Sequence, residues 1–343
     1  MRRSAGPLRT PFLTTLLLAA CARGGGPGPS PTPFTQPMLP PVEGAAATRE
    51  FGDPASFAFA ANGDLWVGNY ATSTLARYAA DQLAPGYRAP VAASVIEGGA
   101  IKGPNAMVFD AHGYLWVAMY DGDRVAGFTP EDLVAGRPPS LVLPDPRGVL
   151  RRPAGVALDA DGNLWVANAA VGHLVRYPRR GGLEAGTAAP DVVLQVADDD
   201  CQAVAVNAGR LWLGCSESDV AYVYALATRS GTPRWLTRLD WKGGCGPVQF
   251  ATTPDGRLGA ACYRSGGVAL LERGQPSQSY QVREQALTNV HGLAFDGEGR
   301  IWAGTNLNVI LRYDPRQGSL PDVVLRPRAE DVLSPTPVRV FRD

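Results

Sequence analysis

The sequence predicts an all-β fold, a six-bladed β-propeller with four antiparallel strands per blade, and two observations carry this prediction. The first is a unit that recurs six times, its second strands aligned on Trp66, Trp116, Trp165, Trp212, Gly259 and Trp302. The steps between these positions are 50, 49, 47, 47 and 43 residues. The second is composition: 40 glycines and 30 prolines in 343 residues indicate many turns between short strands, and no long stretch has helical periodicity.

Each copy has the same parts in the same order. A first apolar strand is predicted at residues 57–60, 107–110, 156–159, 204–206, 249–252 and 293–296. A turn whose glycine tolerates positive φ follows, at Gly63, Gly113, Gly162, Gly209, Gly256 and Gly299. The third strand ends at Tyr78, Phe128, Tyr177, Tyr224, Leu271 and Tyr313. Segments rich in β-formers complete four units at 140–143, 191–194, 280–282 and 322–325, and residues 338–341 are a candidate outer strand or latch.

The repeated tryptophans and Asp-Gly turns are interpreted as architecture. Because tryptophan occupies the same blade position in five copies, we predict that it packs between blades rather than stacks on a ligand. The Asp-Gly turns are predicted to be hairpin turns rather than calcium loops. Gly259 breaks the aromatic pattern in the fifth copy, where we expect a disulfide to compensate.

Four cysteines fall within the repeats, and they allow three pairings. In blades 4 and 5 one cysteine precedes the first strand and another ends the second strand. Antiparallel pairing of these strands brings the two cysteines together. We therefore predict the disulfides Cys201–Cys215 and Cys245–Cys262, each worth about 3 kcal/mol through loop closure in an oxidising compartment. A zinc site is the alternative.

The N-terminal residues predict export. Arg2 and Arg3 precede an apolar run at 12–20, which indicates a secretory signal and is too short to span a bilayer as a helix. The segment 18–21, Leu-Ala-Ala-Cys, resembles the bacterial lipoprotein box. That resemblance implies cleavage before Cys21 and lipidation of this residue. An ordinary signal peptide with a chance cysteine is the alternative.

The predicted organisation is a lipoprotein signal peptide at 1–20, a flexible Gly/Pro-rich tether at 21–48 and the propeller at 49–343. Acyl chains on Cys21 would anchor the protein to the membrane of the bacterial cell envelope, with the propeller in the periplasm or on the surface. Ala22, by resemblance to Gram-negative lipoproteins, implies the outer membrane. The net charge is zero, from 32 basic and 32 acidic side chains, so nucleic acid is not an expected partner; we expect a monomer.

One face of the propeller is predicted to carry the site. The loops that enter the first strands and the hairpins that leave the second strands share this face, at the mouth of the central channel. Its inner ring is predicted to contain Asp53, Asn105, Ala154, Gln202, Val248 and His291, and its outer ring to include Tyr70 and Asp121. The candidate ligand-binding residues on this face are Asn105, Gln202, His291, Tyr120, Asn168, Tyr263, Arg264 and Asn306.

The repeat resembles those of NHL-repeat and senescence-marker-protein (gluconolactonase-like) propellers and of streptogramin lyases over about residues 51–326. The segment 103–105, Gly-Pro-Asn, resembles the element that supplies a metal-ligand asparagine in gluconolactonase-like enzymes. This resemblance implies a divalent cation such as Ca²⁺, with Asn105 and Asp53 as candidate ligands. Ala154 replaces the aspartate that the family uses as ligand and base, and a methyl group can neither bind a cation nor take a proton.

His291 is the candidate catalytic residue. With Gly292 it resembles the His-Gly that enters a first strand in streptogramin lyases, and this resemblance implies a general base. The family also has a glutamate and a second histidine just after the following second strand. This chain has the segment 305–307, Thr-Asn-Leu, at that place.

The sequence therefore predicts a membrane-tethered propeller that binds a small molecule or a protein at the channel mouth, without catalysis and without a cofactor. The alternative is a metal-dependent lactonase or hydrolase, or a lyase, with an altered site built on Asn105, Gln202 and His291.

Overall fold

The computed structural model of the protein describes residues 47–196, 198, 200–226, 231–241, 244–272, 275–281, 289–317 and 321–327. The predicted signal peptide at 1–20, Cys21, most of the predicted tether at 21–48 and the candidate latch at 338–341 lie outside these residues. Within them, no helix combines the length and apolar character needed to cross a bilayer.

The chain forms a six-bladed β-propeller, and each blade is an antiparallel sheet whose strands follow one another from the channel outward. Blade 1 contains β1 (Pro54–Phe59), β2 (Leu65–Asn69), β3 (Thr74–Tyr78) and β5 (Ser94–Glu97). Blade 2 contains β6 (Pro104–Phe109), β7 (Leu115–Met119), β8 (Arg124–Phe128) and β9 (Leu141–Val142). Blade 3 contains β10 (Pro153–Leu158), β11 (Leu164–Asn168), β12 (His173–Tyr177) and β13 (Val192–Gln195).

Blade 4 contains β14 (Cys201–Asn207), β15 (Arg210–Cys215), β16 (Val220–Ala225) and β17 (Arg234–Asp240). Blade 5 contains β18 (Pro247–Thr252), β19 (Leu258–Cys262), β20 (Gly267–Glu272) and β21 (Gln275–Gln281). Blade 6 contains β22 (Val290–Phe295), β23 (Ile301–Thr305), β24 (Val309–Tyr313) and β25 (Val323–Leu325), joined by β4 (Gly86–Arg88). Besides short 3₁₀ turns, the described residues include the α-helix α1 (Pro130–Ala135).

The first strands begin earlier than predicted, and in four blades they begin at a proline. Proline is suited to this position because its missing N–H removes no hydrogen bond from a strand interior. A register shift follows at once: Pro104 pairs with Met119 and Ala106 with Ala118, so Asn105 is the extra residue of a β-bulge. The outer strands of blades 1 and 4, β5 and β17, complete the four strands predicted for each blade, although the sequence analysis did not give their positions.

The bulge corrects the predicted inner ring in blade 1. Pro54 pairs with Asn69 and Ser56 with Gly68, so the counterpart of Asn105 is Ala55. Asp53 lies two residues earlier than this bulge position and is instead the counterpart of Gly103.

The tryptophans pack between blades, as predicted. Trp165 is fully buried and lies in one cluster with Leu211 and Leu213 of blade 4. Its indole N–H donates to Asp159 Oδ2 at 2.9 Å, while Oδ1 of the same carboxylate accepts from backbone N–H groups of the turn. Asp110 and Asp296 do the same for the tryptophans of blades 2 and 6. The turn aspartates are therefore engaged in fold stabilisation.

Gly259 is compensated by packing from the next blade. A Cβ added at Gly259 would lie 2.5 Å from Cζ of Phe295, so the phenyl ring of blade 6 occupies the place where the other blades have an indole. The Cys245–Cys262 disulfide lies in the same blade, and its own contribution to the compensation stays a prediction.

Both predicted disulfides are confirmed. Cys201 pairs with Cys215 and Cys245 with Cys262. Each bridge links the entry of a first strand to the end of its second strand, in blades 4 and 5.

The ring closes between blade 6 and blade 1. Each blade's four-stranded sheet comes from one continuous part of the chain, but β4 leaves blade 1 and adds to the outer edge of blade 6. It pairs in parallel with β25, Val323 opposite Gly86 and Leu325 opposite Arg88. Blade 1 therefore contributes to two sheets across the closing seam.

Candidate functional site

The candidate site lies at one end of the channel. The first residues of the first strands and the last residues of the second strands meet there, as the pairing of Pro54 with Asn69 and of Pro153 with Asn168 shows. The channel itself holds a cavity of about 410 Å³ lined by the first strands of all six blades. A second cavity of about 660 Å³ opens between blades 6 and 1 beside Ala80 and Glu298, at the other end of the strands.

His291 has a carboxylate partner that its local sequence does not reveal. Its Nδ1 lies 3.0 Å from Oδ1 of Asp53, a residue of blade 1 that is 238 positions away in the chain. The two side chains are 16% and 17% exposed, so the pair is partly desolvated and still reachable from the channel mouth. The ring of Tyr263, from blade 5, lies 4.9 Å from the imidazole, centroid to centroid.

The environment of His291 has opposing effects on its protonation. Desolvation of the ring lowers the pKa of His291, and the charge and hydrogen bond of the Asp53 carboxylate raise it. The net result is a raised pKa, so the imidazole holds its proton to a higher pH than a free histidine does. We call His291 and Asp53 the dyad.

Two tyrosines continue the site through blades 1 and 2. The rings of Tyr70 and Tyr120 meet edge to face at 5.8 Å, and the Tyr70 hydroxyl donates to Asp121 Oδ1 at 3.2 Å. Burial raises the pKa of Tyr70, and the charge of Asp121 adds to this effect. Both hydroxyls therefore stay protonated at neutral pH, since burial also raises the pKa of Tyr120.

Arg152 of blade 3 adds to this row of side chains. Its guanidinium carbon lies 5.6 Å from the centre of the Tyr120 ring, and its positive charge lowers the pKa of Tyr120 against the effect of burial. A row of side chains thus runs from blade 6 through blades 1 and 2 to blade 3. It consists of the dyad, Tyr70, Tyr120 and Arg152, and we call it the arc.

Backbone conformation separates Asp53 and Arg152 from their counterparts. The residue before the first strand has positive φ in four blades: 52° at Asp53, 57° at Gly103, 50° at Arg152 and 55° at Gly246. Glycine adopts this conformation freely, whereas a side chain costs roughly 1–2 kcal/mol there, somewhat less for aspartate. Blades 1 and 3 therefore retain a costly side chain at the channel mouth, which is typical of functional residues.

A set of hydrogen bonds between blades holds the loops that enter the first strands, and the sequence analysis did not predict these bonds. The residue before the third strand has positive φ and, in four blades, a side-chain oxygen that accepts from the N–H of the residue before the next blade's first strand. We call these bonds the clamps. They run from Asp53 N to Asn308, Gly103 N to Ser73, Arg152 N to Asp123 and Gly246 N to Asp219, over 2.7–3.1 Å. The signal was visible as Ser73, Asp123, Asp219 and Asn308 at one position of the repeat, with Gly172 and Gly266 in the other two copies.

The other predicted ligand-binding residues are distributed around the mouth. Asn105 donates its amide N–H to the Ala154 carbonyl at 2.8 Å, and Gln202 donates to Asp200 at 2.9 Å. Arg264 is exposed and donates to the Glu217 carbonyl.

Asn306 is exposed at the blade 6 hairpin, on the side that also carries His291. Asn168 departs from the prediction. It is fully buried, and its amide accepts from Arg151 N and donates to the His173 carbonyl, so it shapes the hairpin and offers no exposed group.

The divalent cation that the gluconolactonase resemblance implied stays a prediction. Within the described residues, no three His, Cys, Asp or Glu side chains converge as metal ligands do. Of the two candidate ligands, Asn105 is hydrogen-bonded to a backbone carbonyl and Asp53 to His291. Asn105 donates through its amide N–H, so this bond does not use its Oδ1, the atom that would bind a cation.

Comparison with known proteins supports the fold. The chain is similar to virginiamycin B lyase from Staphylococcus aureus, with 14% identity and a TM-score of 0.53 over 74% of this chain and 78% of that one. A catalytically inactive histidine-to-alanine variant of that lyase, solved with quinupristin, gives 12% identity and a TM-score of 0.55 over 82% and 87%. A putative 6-phosphogluconolactonase from Bacteroides uniformis gives 12% and 0.53 over 81% and 85%.

No known family pattern matches the chain, and no curated protein matches it in sequence. At these identities the structural likeness establishes the fold alone. The protein is a six-bladed β-propeller that resembles lyase-like and lactonase-like propellers in architecture, with its own arrangement of side chains at the channel mouth.

Proposed function

We propose that the protein is an extracytoplasmic, membrane-tethered propeller that binds a ligand at the channel mouth. The observation that carries the proposal is the arc of the dyad, Tyr70, Tyr120 and Arg152, which combines ring faces, protonated hydroxyls and both signs of charge. Such a combination of apolar surface with a few polar groups is typical of small-molecule sites. Two disulfides support an oxidising compartment, and the lipoprotein box at Cys21 supports the tether.

Quinupristin is a suitable first ligand to test, because a structural neighbour is known in complex with it. We expect calorimetric titration of the full-length protein to show binding that weakens at least tenfold in the Tyr70→Ala variant. Tyr70 lies at the centre of the arc, and the loss of its ring removes stacking area and the hydrogen bond to Asp121. His112→Ala, a change at the other end of the strands, serves as the control; equal binding by both variants would exclude the channel mouth as the site.

A second candidate function is proton transfer in a lyase-type elimination, and the dyad is the observation that favours it. Asp53 fixes one ring nitrogen of His291, which leaves the other nitrogen for a substrate proton. The sequence offered no carboxylate near His291, and the fold brings one from the adjacent blade.

Product analysis distinguishes the two functions. An elimination leaves the mass of a cyclic substrate unchanged, a hydrolysis adds one water, and a binding protein returns the substrate intact. If His291 acts as a base, turnover rises with pH through its raised pKa and is lost in His291→Asn. Recovery of unaltered quinupristin after long incubation with a saturating amount of protein would reject catalysis on this compound.

A further inference from the structure

Arg152 is unusual among the residues at positive φ. Apart from glycine, the described residues with positive φ are Asp, Asn or Ser, with two exceptions, Ala208 and Arg152. Short polar side chains tolerate this conformation better than long ones, and the clamps use four of them for bonds between blades. Arginine has no such benefit, and glycine occupies the same position in blades 2 and 5. The backbone conformation therefore does not account for an arginine at this position, which points to a role for its guanidinium.

Two other arginines that stack on aromatic rings show which partner such an arginine has elsewhere in the protein. Arg176 lies 5.5 Å from the ring centre of Trp165, and Arg312 lies 5.4 Å from that of Trp302. Each forms a two-pronged ion pair with a carboxylate, Asp191 in one case and Asp322 in the other. The planar fork of arginine matches a carboxylate in this manner.

Arg152 stacks on an aromatic ring in the same way, but no carboxylate among the described residues pairs with it. Its guanidinium covers Tyr120 at 5.6 Å and its backbone N–H donates to Asp123 at 2.7 Å, so the base of the side chain is fixed. In the described part of the chain no ion pair is formed by this guanidinium, and the residue is exposed at the channel mouth.

The acidic residues nearest to Tyr120 are already engaged. Asp121 accepts from the Tyr70 hydroxyl, and Asp200 accepts from Gln202 and from the hydroxyl and backbone of the blade 4 hairpin. The negative charges of both carboxylates raise the pKa of Tyr120. They do not occupy the place beside Arg152 that Asp191 and Asp322 occupy beside the other two arginines.

We propose that Arg152 and Tyr120 form a subsite for an anionic group of the ligand, a carboxylate or a phosphate that completes the stacked ion pair. The inference rests on the proposed binding function and names the chemistry of one end of the ligand. Because the tyrosine pair links this subsite to the dyad, the ligand extends along the arc from its anionic end at blade 3 toward blades 1 and 6.

The test uses Arg152→Gly, a substitution that the backbone favours. Glycine at φ 50° relieves the conformational cost, so this variant is expected to melt no lower than the wild type. The full-length protein is titrated separately with benzoate and with inorganic phosphate by calorimetry and by NMR of the arginine Nε–H signals. The matched control is Arg180→Gly, which removes the same charge from an exposed position of blade 3 at the other end of the strands.

We expect the wild type and Arg180→Gly to bind one of the two anions equally, and Arg152→Gly to bind it at least tenfold more weakly. Preference for benzoate identifies a carboxylate ligand, and preference for phosphate identifies a phosphorylated one. Equal binding by Arg152→Gly and the wild type would overturn the subsite. If neither anion binds but quinupristin does, the subsite is rejected and the binding function stands; if none of the three binds, both are rejected.

Discussion

The two sides of the ring are stiffened in different ways. On one side, clamps link blade 6 to 1, 1 to 2 and 2 to 3, and this side carries the arc from the dyad to Arg152. On the other side, blades 4 and 5 each contain a disulfide, and the fourth clamp joins these two blades. Between blades 3 and 4 the clamp position is Gly172, and between blades 5 and 6 it is Gly266.

The difference shows which part of the structure a disulfide holds in place and which part a clamp holds in place. A disulfide within a blade fixes the entry of one sheet, whereas a clamp fixes one blade against the next. A ligand site assembled from four blades depends on relations between blades, and three of the four clamps lie at the seams that the arc crosses. At the seam of blades 3 and 4 the backbones meet directly instead, because a Cβ on Gly155 would lie 2.2 Å from the Gln202 carbonyl oxygen.

The largest expected effect comes from the inter-blade tryptophans. Trp165→Ala should lower the free energy of unfolding by about 3–5 kcal/mol, because it empties a fully buried site and leaves Asp159 without its indole donor. Trp212→Ala on the disulfide side should cost less, since Trp212 is 7% exposed. Urea unfolding of both variants measures the difference, and equal losses would remove this contrast between the sides.

Loss of a disulfide is the next largest effect. Replacing both Cys201 and Cys215 by serine should reduce stability by about 3 kcal/mol, as expected for opening a loop of this length. Thermal melts with and without reductant give the measurement. The reductant should lower the melting temperature of the wild type and have a smaller effect on the double variant; identical melts for the wild type would contradict the prediction.

Removal of one clamp should have a smaller effect on stability and a local effect on binding. Asp123→Ala and Asp219→Ala each remove one acceptor and should cost about 1 kcal/mol. Only Asp123→Ala frees the backbone of Arg152, so it alone should weaken anion binding. Denaturant melts and the benzoate and phosphate titrations compare the two variants; equal anion affinity would show that the clamp does not position Arg152.

The smallest expected effect is on the titration of His291. Since the folded-state pKa of His291 is raised, the pair with Asp53 stabilises fully below about pH 6.5 and this stabilisation is lost as pH rises through the folded-state pKa. Asp53→Asn removes the carboxylate charge and keeps the desolvation, so the pKa should fall. NMR titration of His291 in the wild type and in Asp53→Asn measures the change. An unchanged pKa in Asp53→Asn would show that the pair is absent in solution.

The sequence was sufficient for the architecture because the repeat reports it many times. Six copies, five of them with tryptophan at one position, specify the blades, their order and the packing between them, and the hairpin geometry also paired the cysteines correctly. The strand starts were placed late because the bulge interrupts the apolar alternation near each proline.

The site was less predictable because its contacts join distant parts of the chain. Nothing near His291 indicates that Asp53 lies beside it, since the pair forms only when blade 6 meets blade 1. Phe295 filling the space at Gly259 is likewise a contact between copies, which comparison of aligned positions cannot show. Arg152 was passed over because a charged residue before a strand has an ordinary solvated alternative.

The strand β4 also bears on how the chain folds as it is made. Its partner in β25 lies 237 residues later (323 − 86), so the pairing is among the most non-local in the molecule. Blade 1 is synthesised before the other blades, yet its β4 segment and Asp53 can meet their partners only after blade 6 has been made. We therefore expect the closing seam to form last in folding, and the candidate site to appear with it rather than before it.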